Sequence, residues 1–273
     1  MRISLFIILF FACSSIAFSQ KDSNLSLIPD QTIKGKYQAF TTDNLGNLYL
    51  VTSSNQIKKL NDKGDSIAVY NDVKRYGNIS FIDASNPLKL LVYYKDFATV
   101  VVLDRLLNVR NTIDLRKQEI FQVQAIASSY DGALWLFDEQ NSKIKRVDDY
   151  GKVIMESTDF RMIFDETPQP QLLFDRDGQL YLYDSSKGVF VFDYYGAFKN
   201  KYSFKNYTDL QIIDKNTITA RNTNNLILYK PLTLQMDYFN IMQSKNKFAN
   251  IRFTGNRLYA LTTNGDIEIY HTP

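Results

Sequence analysis

DRDGQLYLYDSSKGVFVFDYYG, residues 175–196, holds an Asp-Gly turn, an apolar run, a polar turn, a second apolar run and a closing Gly turn. Short runs rich in Tyr, Phe, Val and Leu between Gly, Asp and Ser clusters read as strands joined by hairpins. The runs LYLY and VFVF put large apolar groups on both faces of each strand. A sheet with one wet face would alternate apolar and polar residues, so these strands are expected to be covered on both sides.

The same phrase recurs along the chain. With Leu180 as anchor, the matching positions are Leu48, Leu90, Leu134, Ile218 and Leu258, at intervals of 42, 44, 46, 38 and 40 residues. A second apolar position follows each anchor: Ile57, Val100, Ile144, Val189, Leu226 and Ile267, at offsets of 9, 10, 10, 9, 8 and 9. Copies 2 and 5 lack the Asp turn before the anchor. Each copy but the last has room for four short strands, and four strands every 40–45 residues is the period of a propeller blade. The spacing predicts an all-β, six-bladed β-propeller of four-stranded antiparallel blades. A seventh blade would require a different phasing of copies 2 or 5.

The last copy, ending at Pro273, holds only three strands, near 250–253, 257–261 and 267–270. An unassigned run, Leu25 to Ile33, precedes the first copy. It is expected to pair with the last blade as its outer strand and remove open sheet edges, which invite aggregation. The longest irregular connection is expected from Thr158 to Pro170. No apolar stripe at helical spacing lasts three turns.

Residues 1–19 read as a signal peptide, with Arg2 at the charged start, an apolar core from Ile3 to Phe11, and Ala17 and Ser19 flanking a cut before Gln20. Residues 20–273 then form one propeller domain. An exported, periplasmic or extracellular location follows. Cys13, the only cysteine, offers an alternative as the acylated cysteine of a lipid-anchored envelope subunit. Phe10 stands where such a motif usually has Leu. Without Arg2 the charge falls from +3 to about +2, which favours neither nucleic acid nor an anionic membrane.

His271 is the only histidine, so Ser-His-Asp catalysis and histidine metal sites are not expected. No Cys-x-x-Cys, His-Glu-x-x-His, Gly-x-Ser-x-Gly or phosphate-loop motif is present. No catalytic residue, metal ligand or cofactor is assigned. Asp43, Asp131 and Asp177 recur before the second strand. Carboxylates beside turn carbonyls suit calcium, but three copies on three blades fit Asx turns better. Tyr49, Trp135, Tyr181 and Tyr259 follow the anchor in four copies. They either offer stacking surfaces for sugars or fill the wedge between blades, and their repetition favours packing. Each innermost strand opens with a polar residue: Gln38, Ser80, Gln124, Gln171, Gln211 and Asn250. Two residues on come Phe40, Ile82, Ile126, Leu173, Ile213 and Arg252. If the inner strands line a channel, the six polar residues form a ligand-holding ring of five amides and one hydroxyl. Otherwise they bridge blades and satisfy backbone groups.

The phrases TTDNLGNLYLVTSSNQIKKLNDKG, residues 41–64, and SSYDGALWLFDEQNSKIKRVDDYG, residues 128–151, resemble the NHL-type repeat of six-bladed propellers. The second is also similar to the propeller repeat of two-component sensors. The resemblance covers the whole mature chain and implies a ligand- or protein-binding platform. Its lactonase-like enzymatic members hold calcium with inner-strand carboxylates, and the matching positions here carry none. The reading is an exported, non-catalytic binding module of the bacterial envelope or exterior that contacts a protein, peptide or glycan through one rim. The alternative is a calcium-assisted hydrolase or lactonase.

Overall fold

A computed structural model describes residues 22–24, 28–241 and 247–271. The expected leader, including Cys13, lies outside the described residues. Six sheets of antiparallel strands follow one another along the chain. Blade 1 comprises Tyr37–Thr42, Leu48–Thr52, Ile57–Leu60 and Ser66–Tyr70. Blade 2 comprises Phe81–Asn86, Lys89–Tyr94, Thr99–Asp104 and Val109–Asp114. Blade 3 comprises Val123–Ser128, Leu134–Asp138, Lys143–Val147 and Val153–Glu156. Blade 4 comprises Leu172–Arg176, Gln179–Asp184, Gly188–Asp193 and Phe198–Tyr202. Blade 5 comprises Thr208–Asp214, Thr217–Arg221, Asn225–Lys230 and Gln235–Asn240. Blade 6 comprises Phe248–Thr254, Arg257–Thr262 and Ile267–His271, with Gln31–Ile33 on its outer edge. The chain is a six-bladed β-propeller.

Gln31–Ile33 pairs antiparallel with the last strand, Gln31 opposite Ile269 and Ile33 opposite Ile267. Asp30 of the expected closing run extends the contact, its N–H donating to Ile269 O (2.8 Å) and its carboxylate pairing with His271. Ile28 is exposed, and residues 25–27 lie outside the described residues. A second N-terminal piece, Asp22–Asn24, adds to blade 5 as a fifth strand, parallel to Gln235–Asn240. Its composition, DSN, is poor in strand-forming residues, so nothing in it announced a strand. A chain that starts at Lys34 leaves the edge of Ile267–His271 bare. It is expected to self-associate while the full chain stays at its original size, as light scattering after size exclusion would report.

The anchor positions occupy the middle of each blade and are buried on both faces. Leu48, Leu90, Leu134, Leu180, Ile218 and Leu258 are all buried, as are their partners Ile57, Val100, Ile144, Val189, Leu226 and Ile267. The apolar clusters form between neighbouring blades. Tyr49, Val51 and Ile57 of blade 1 pack with Leu90, Val92 and Val101 of blade 2. Tyr181, Val189 and Val191 of blade 4 pack with Ile212, Ile218 and Ile227 of blade 5. Each such side chain removed from water contributes about 1.5–3 kcal/mol. Stacking of blades is therefore what makes a strand such as VFVF stable at all.

Polar side chains clasp the same seams. Lys59 Nζ donates to Arg105 O (2.9 Å) between blades 1 and 2, and Lys89 Nζ pairs with Asp149 (2.6 Å) between blades 2 and 3. Asp175 of blade 4 accepts from Ser129 Oγ (3.1 Å) and Trp135 Nε1 (3.0 Å) of blade 3. Asp177 of blade 4 accepts from Lys215 N of blade 5 (2.8 Å). Thr254 of blade 6 bonds Thr42 of blade 1 through their hydroxyls (2.6 Å). The connection expected to be irregular carries one short 3₁₀ turn, Phe160–Met162. Its Phe160 is driven into the seam between blades 3 and 4, beside Phe137, Leu180 and Phe192.

Candidate functional site

The end of the propeller that carries the turns between first and second strands holds a cavity of about 690 Å³. Its walls come from blades 1, 2, 4, 5 and 6, and include Asn44, Arg176, Gln211, Thr217, Arg252 and Gly255. Asn44 and Gly255, at turn tips, are exposed and mark its mouth. A smaller continuation along the axis is lined by Thr41, Asp83, Ala127, Phe174 and Arg252.

Strand register explains this lining. The residue after each anchor pairs with one residue of the inner strand: Tyr49 with Thr41, Leu91 with Asp83, Trp135 with Ala127, Tyr181 with Phe174, Thr219 with Gln211, and Tyr259 with Arg252. Thr41, Asp83, Ala127, Phe174, Gln211 and Arg252 thus form one level around the axis. All six lie on the walls of the two cavities.

Five of the six residues expected from sequence to open the inner strands sit elsewhere. Gln38, Gln124 and Gln171 stand four residues before the partners of their anchors, Thr42, Ser128 and Asp175. They lie at the opposite end of the inner strands from the cavity. Gln38 Nε2 donates to Asn55 Oδ1 (3.0 Å), Ser80 Oγ accepts from Lys95 N (3.1 Å), and Gln124 Nε2 donates to Glu139 Oε2 (2.8 Å). Gln171 Oε1 accepts from Ser185 N (2.8 Å). Each of these bonds braces the turn between second and third strands of its own blade. Asn250 donates to Asp209 Oδ1 (2.5 Å) across the seam of blades 5 and 6.

Only Gln211 reaches the cavity, because it stands one residue before Ile212, the partner of its anchor. Irregular pairing between Thr208 and Gln211 absorbs the difference, with Asp209 in the left-handed region at φ 52°. Gln211 Nε2 donates to Phe253 O (3.2 Å) and its Oε1 accepts from Phe253 N (2.7 Å). Both ends of the amide are spent on the backbone next to Arg252.

Arg252 and Arg176 are the residues that spacing did not single out as a pair. Arg252 lines both cavities, and its Nε is buried without a hydrogen-bond partner. Burial pushes its guanidinium below the usual arginine range, with Asp83 opposing that shift and Arg176 adding to it. Arg176 Nη1 donates to Asp175 O (2.8 Å). Asp83 is committed to backbone: Oδ1 accepts from Ser85 N (2.8 Å) and Oδ2 from Ser128 N (2.7 Å). Asp43, also on the wall, is 1% exposed and takes bonds from Leu45 N, Asn47 N, Asn47 Nδ2 and Tyr49 Oη. The signal for this ring was available only by counting hairpin register from the residue after each anchor.

The recurring aspartates each serve a local structure. Asp43 closes an Asx turn, Asp131 accepts from Ala133 N and pairs with Arg146, and Asp177 links blades 4 and 5. They lie on three separate blades. Tyr49, Trp135, Tyr181 and Tyr259 are buried in the clusters between blades, so they present no stacking surface.

The same end of the propeller displays apolar tips. Leu45, Leu88 and Tyr130 project from turns between first and second strands, and Leu106, Tyr150 and Tyr195 from turns between third and fourth strands. Leu232 and Leu234 join them in blade 5. Tyr150 is 92% exposed and Tyr195 is 83% exposed. An Asx residue two places earlier, Asp148 or Asp193, accepts the tip's own N–H (2.9 and 3.0 Å) and turns the side chain outward. At the opposite end, large exposed apolar residues are fewer, with Phe97, Phe121, Met162 and Ile163 on its turns and connections.

No protein-family model matches the chain, and no curated protein matches it by sequence. Solved structures match by fold. A catalytically inactive virginiamycin B lyase from Staphylococcus aureus, solved with quinupristin, superposes with a TM-score of 0.60 at 12% identity, over 91% of this chain and 99% of that one. The β-propeller domain of Cps50 (Swd1) from Myceliophteria thermophila gives 0.61 at 10% identity, over 90% and 100%. BamB from Moraxella catarrhalis gives 0.50 at 14% identity, over 85% and 82%. At these identities the likeness is one of fold. Structures of this fold include a lyase and a chain of the mitotic checkpoint complex, so the fold alone does not choose between such roles. Among the described residues no helix is long and apolar enough to cross a membrane.

Proposed function

We propose that the protein is an exported, non-catalytic binding module of the cell envelope or exterior, and that it docks a protein partner on the end carrying the cavity. The observation that carries this reading is the set of exposed Leu and Tyr tips on the end of the propeller that carries the cavity. Tyr is enriched at protein interfaces because one rigid ring offers apolar area and a polar tip together. Three of the tips, Tyr130, Tyr150 and Tyr195, sit on adjacent blades 3 and 4. They alternate with charged neighbours such as Asp131, Asp149 and Lys152, which suits the polar rim of an interface. The calcium-hydrolase alternative draws no support from the channel carboxylates, since Asp83 and Asp43 are bonded to backbone N–H groups.

The test compares partner capture by the full protein, a Tyr130→Ser/Tyr150→Ser/Tyr195→Ser variant, and a Phe97→Ser/Phe121→Ser variant of the opposite end. Crosslinking in an envelope fraction of the producing cell, read by mass spectrometry, is expected to lose one protein with the tyrosine variant only. Capture that is equal for all three chains, or lost only with the phenylalanine variant, sinks the proposal. Recovery of glycan in place of protein sinks the choice of partner class.

A further inference from the structure

Beyond the rim, we propose that the axial cavity is a binding site for a small organic anion, a carboxylate or phosphate ester on an apolar body, held by Arg252 and Arg176. The two guanidinium groups come from different blades and face one cavity. Arg252 Nε has no partner, and a buried donor left unpaired costs about 1–3 kcal/mol, more for a charged group. Asp83 and Asp209 favour its charge from a distance, but among the described residues no carboxylate oxygen hydrogen-bonds to its Nε. Asp83, at the same level of the ring, spends its oxygens on Ser85 N and Ser128 N. Asp43 spends its own on four donors in its turn. A ligand anion would meet Arg252 with a forked pair of charge-assisted hydrogen bonds, the strongest contact a guanidinium makes.

Gln211 is a positioning residue for this contact. Its amide grips both backbone groups of Phe253, the neighbour of Arg252, and so fixes the strand that aims the guanidinium. Beyond the two arginines the wall is largely apolar, with Phe174, Ile212, Leu226, Phe239 and Phe253. A volume of about 690 Å³ exceeds what inorganic phosphate needs and lies in the range of ordinary small-molecule sites. An apolar body of several carbons accounts for the remaining space.

Calorimetry on the full protein with hexanoate, phenyl phosphate, inorganic phosphate, hexanol and hexylamine tests the proposal. Hexanoate or phenyl phosphate is expected to bind at least tenfold more tightly than hexanol and hexylamine, and the better of the two identifies the head group. Arg252→Gln and Arg176→Gln are each expected to weaken that binding at least tenfold. Without ligand, Arg252→Gln is expected to melt no lower than the parent chain, because it removes a buried cation whose Nε has no hydrogen-bond partner. If Arg252→Gln does fold poorly, the proposal stands or falls on Arg176→Gln. Equal binding of hexanol, tightest binding of hexylamine, no anion binding at millimolar concentration, or undiminished binding by Arg176→Gln overturns it. None of these readouts involves the tyrosine tips, so this site and the rim interface succeed or fail separately.

Discussion

Phe160→Ala is expected to lower the unfolding free energy by about 3–5 kcal/mol, the range for removing a fully buried aromatic ring. Phe160 is 0% exposed. Its ring stacks on Phe192 of blade 4 (5.0 Å between centroids, planes 1° apart) and meets Phe164 edge-on (5.3 Å) and Phe137 of blade 3 at a tilt (5.6 Å). The segment that presents it is a connection and not a strand. Its short turn is held by Asp159, which accepts from Arg161 N (2.9 Å), and by Phe160 N donating to Ser142 O (2.9 Å). These bonds leave the ring little freedom to collapse into the void that truncation opens, so the cavity cost adds to the lost burial. Trp135, the only tryptophan, lies in the same cluster and reports unfolding by fluorescence. A urea titration that shows a loss below about 1 kcal/mol contradicts the account of this seam.

Arg221→Ala is expected to cost about 3–5 kcal/mol at pH 7, the range for breaking a buried ion pair by removing one member. Arg221 Nε donates to Asp209 (2.7 Å), which is 6% exposed. Its Nη atoms donate to Phe248 O (3.0 Å) and Ala249 O (3.3 Å) of blade 6. The substitution therefore takes the charge partner from a buried carboxylate, leaving it the Asn250 amide, and takes the donor from two carbonyls in the same seam. Burial raises the Asp209 carboxyl above its ordinary value of 3.8, with Arg221 and Asn250 pulling it back. A carboxyl with a raised folded-state pKa contributes stability that is complete below the unfolded value and is lost as pH rises through the folded value. Removing Arg221 raises it further, so the variant's folded state takes up a proton over a wider range. The loss measured at pH 7 is expected to shrink on approaching pH 4. A loss that is the same at both values, or larger at the lower one, contradicts the pairing.

The blades were legible because their cause is local. A run such as LYLYDSSKGVFVFD carries its strands, its turn and its burial on both faces within fourteen residues. The strand at Gln31–Ile33 was legible for a different reason: the last copy lacked a partner and one unassigned run remained. The channel was not legible from spacing. Counting by repeat interval placed Gln211 level with Gln171, whereas hairpin register sets it three places further along its strand. Irregular pairing in blade 5 made the difference, and such irregularities leave no mark in the interval between anchors. Arg252 stood in plain view as the one charged residue in a row of apolar ones. Its meaning depended on where Arg176, Asp83 and Asp43 point and on what already occupies their polar atoms. Asp22–Asn24 escaped for want of any strand-forming residue.

The outer edge of blade 6 has a kinetic consequence. Gln31 pairs with Ile269 and Ile33 with Ile267, contacts that span nearly the whole sequence. Hairpins within each blade close loops of a few residues and form early, but this last pairing carries the largest loop-closure cost in the molecule. A ribosome or a translocation channel delivers residue 31 long before residue 269, so blade 1 must wait for blade 6 before the ring can shut. Until then the two half-finished ends expose Leu- and Ile-rich faces. This is the interval in which the chain is open to misassembly, and its length is set by topology and not by the stability of any one blade.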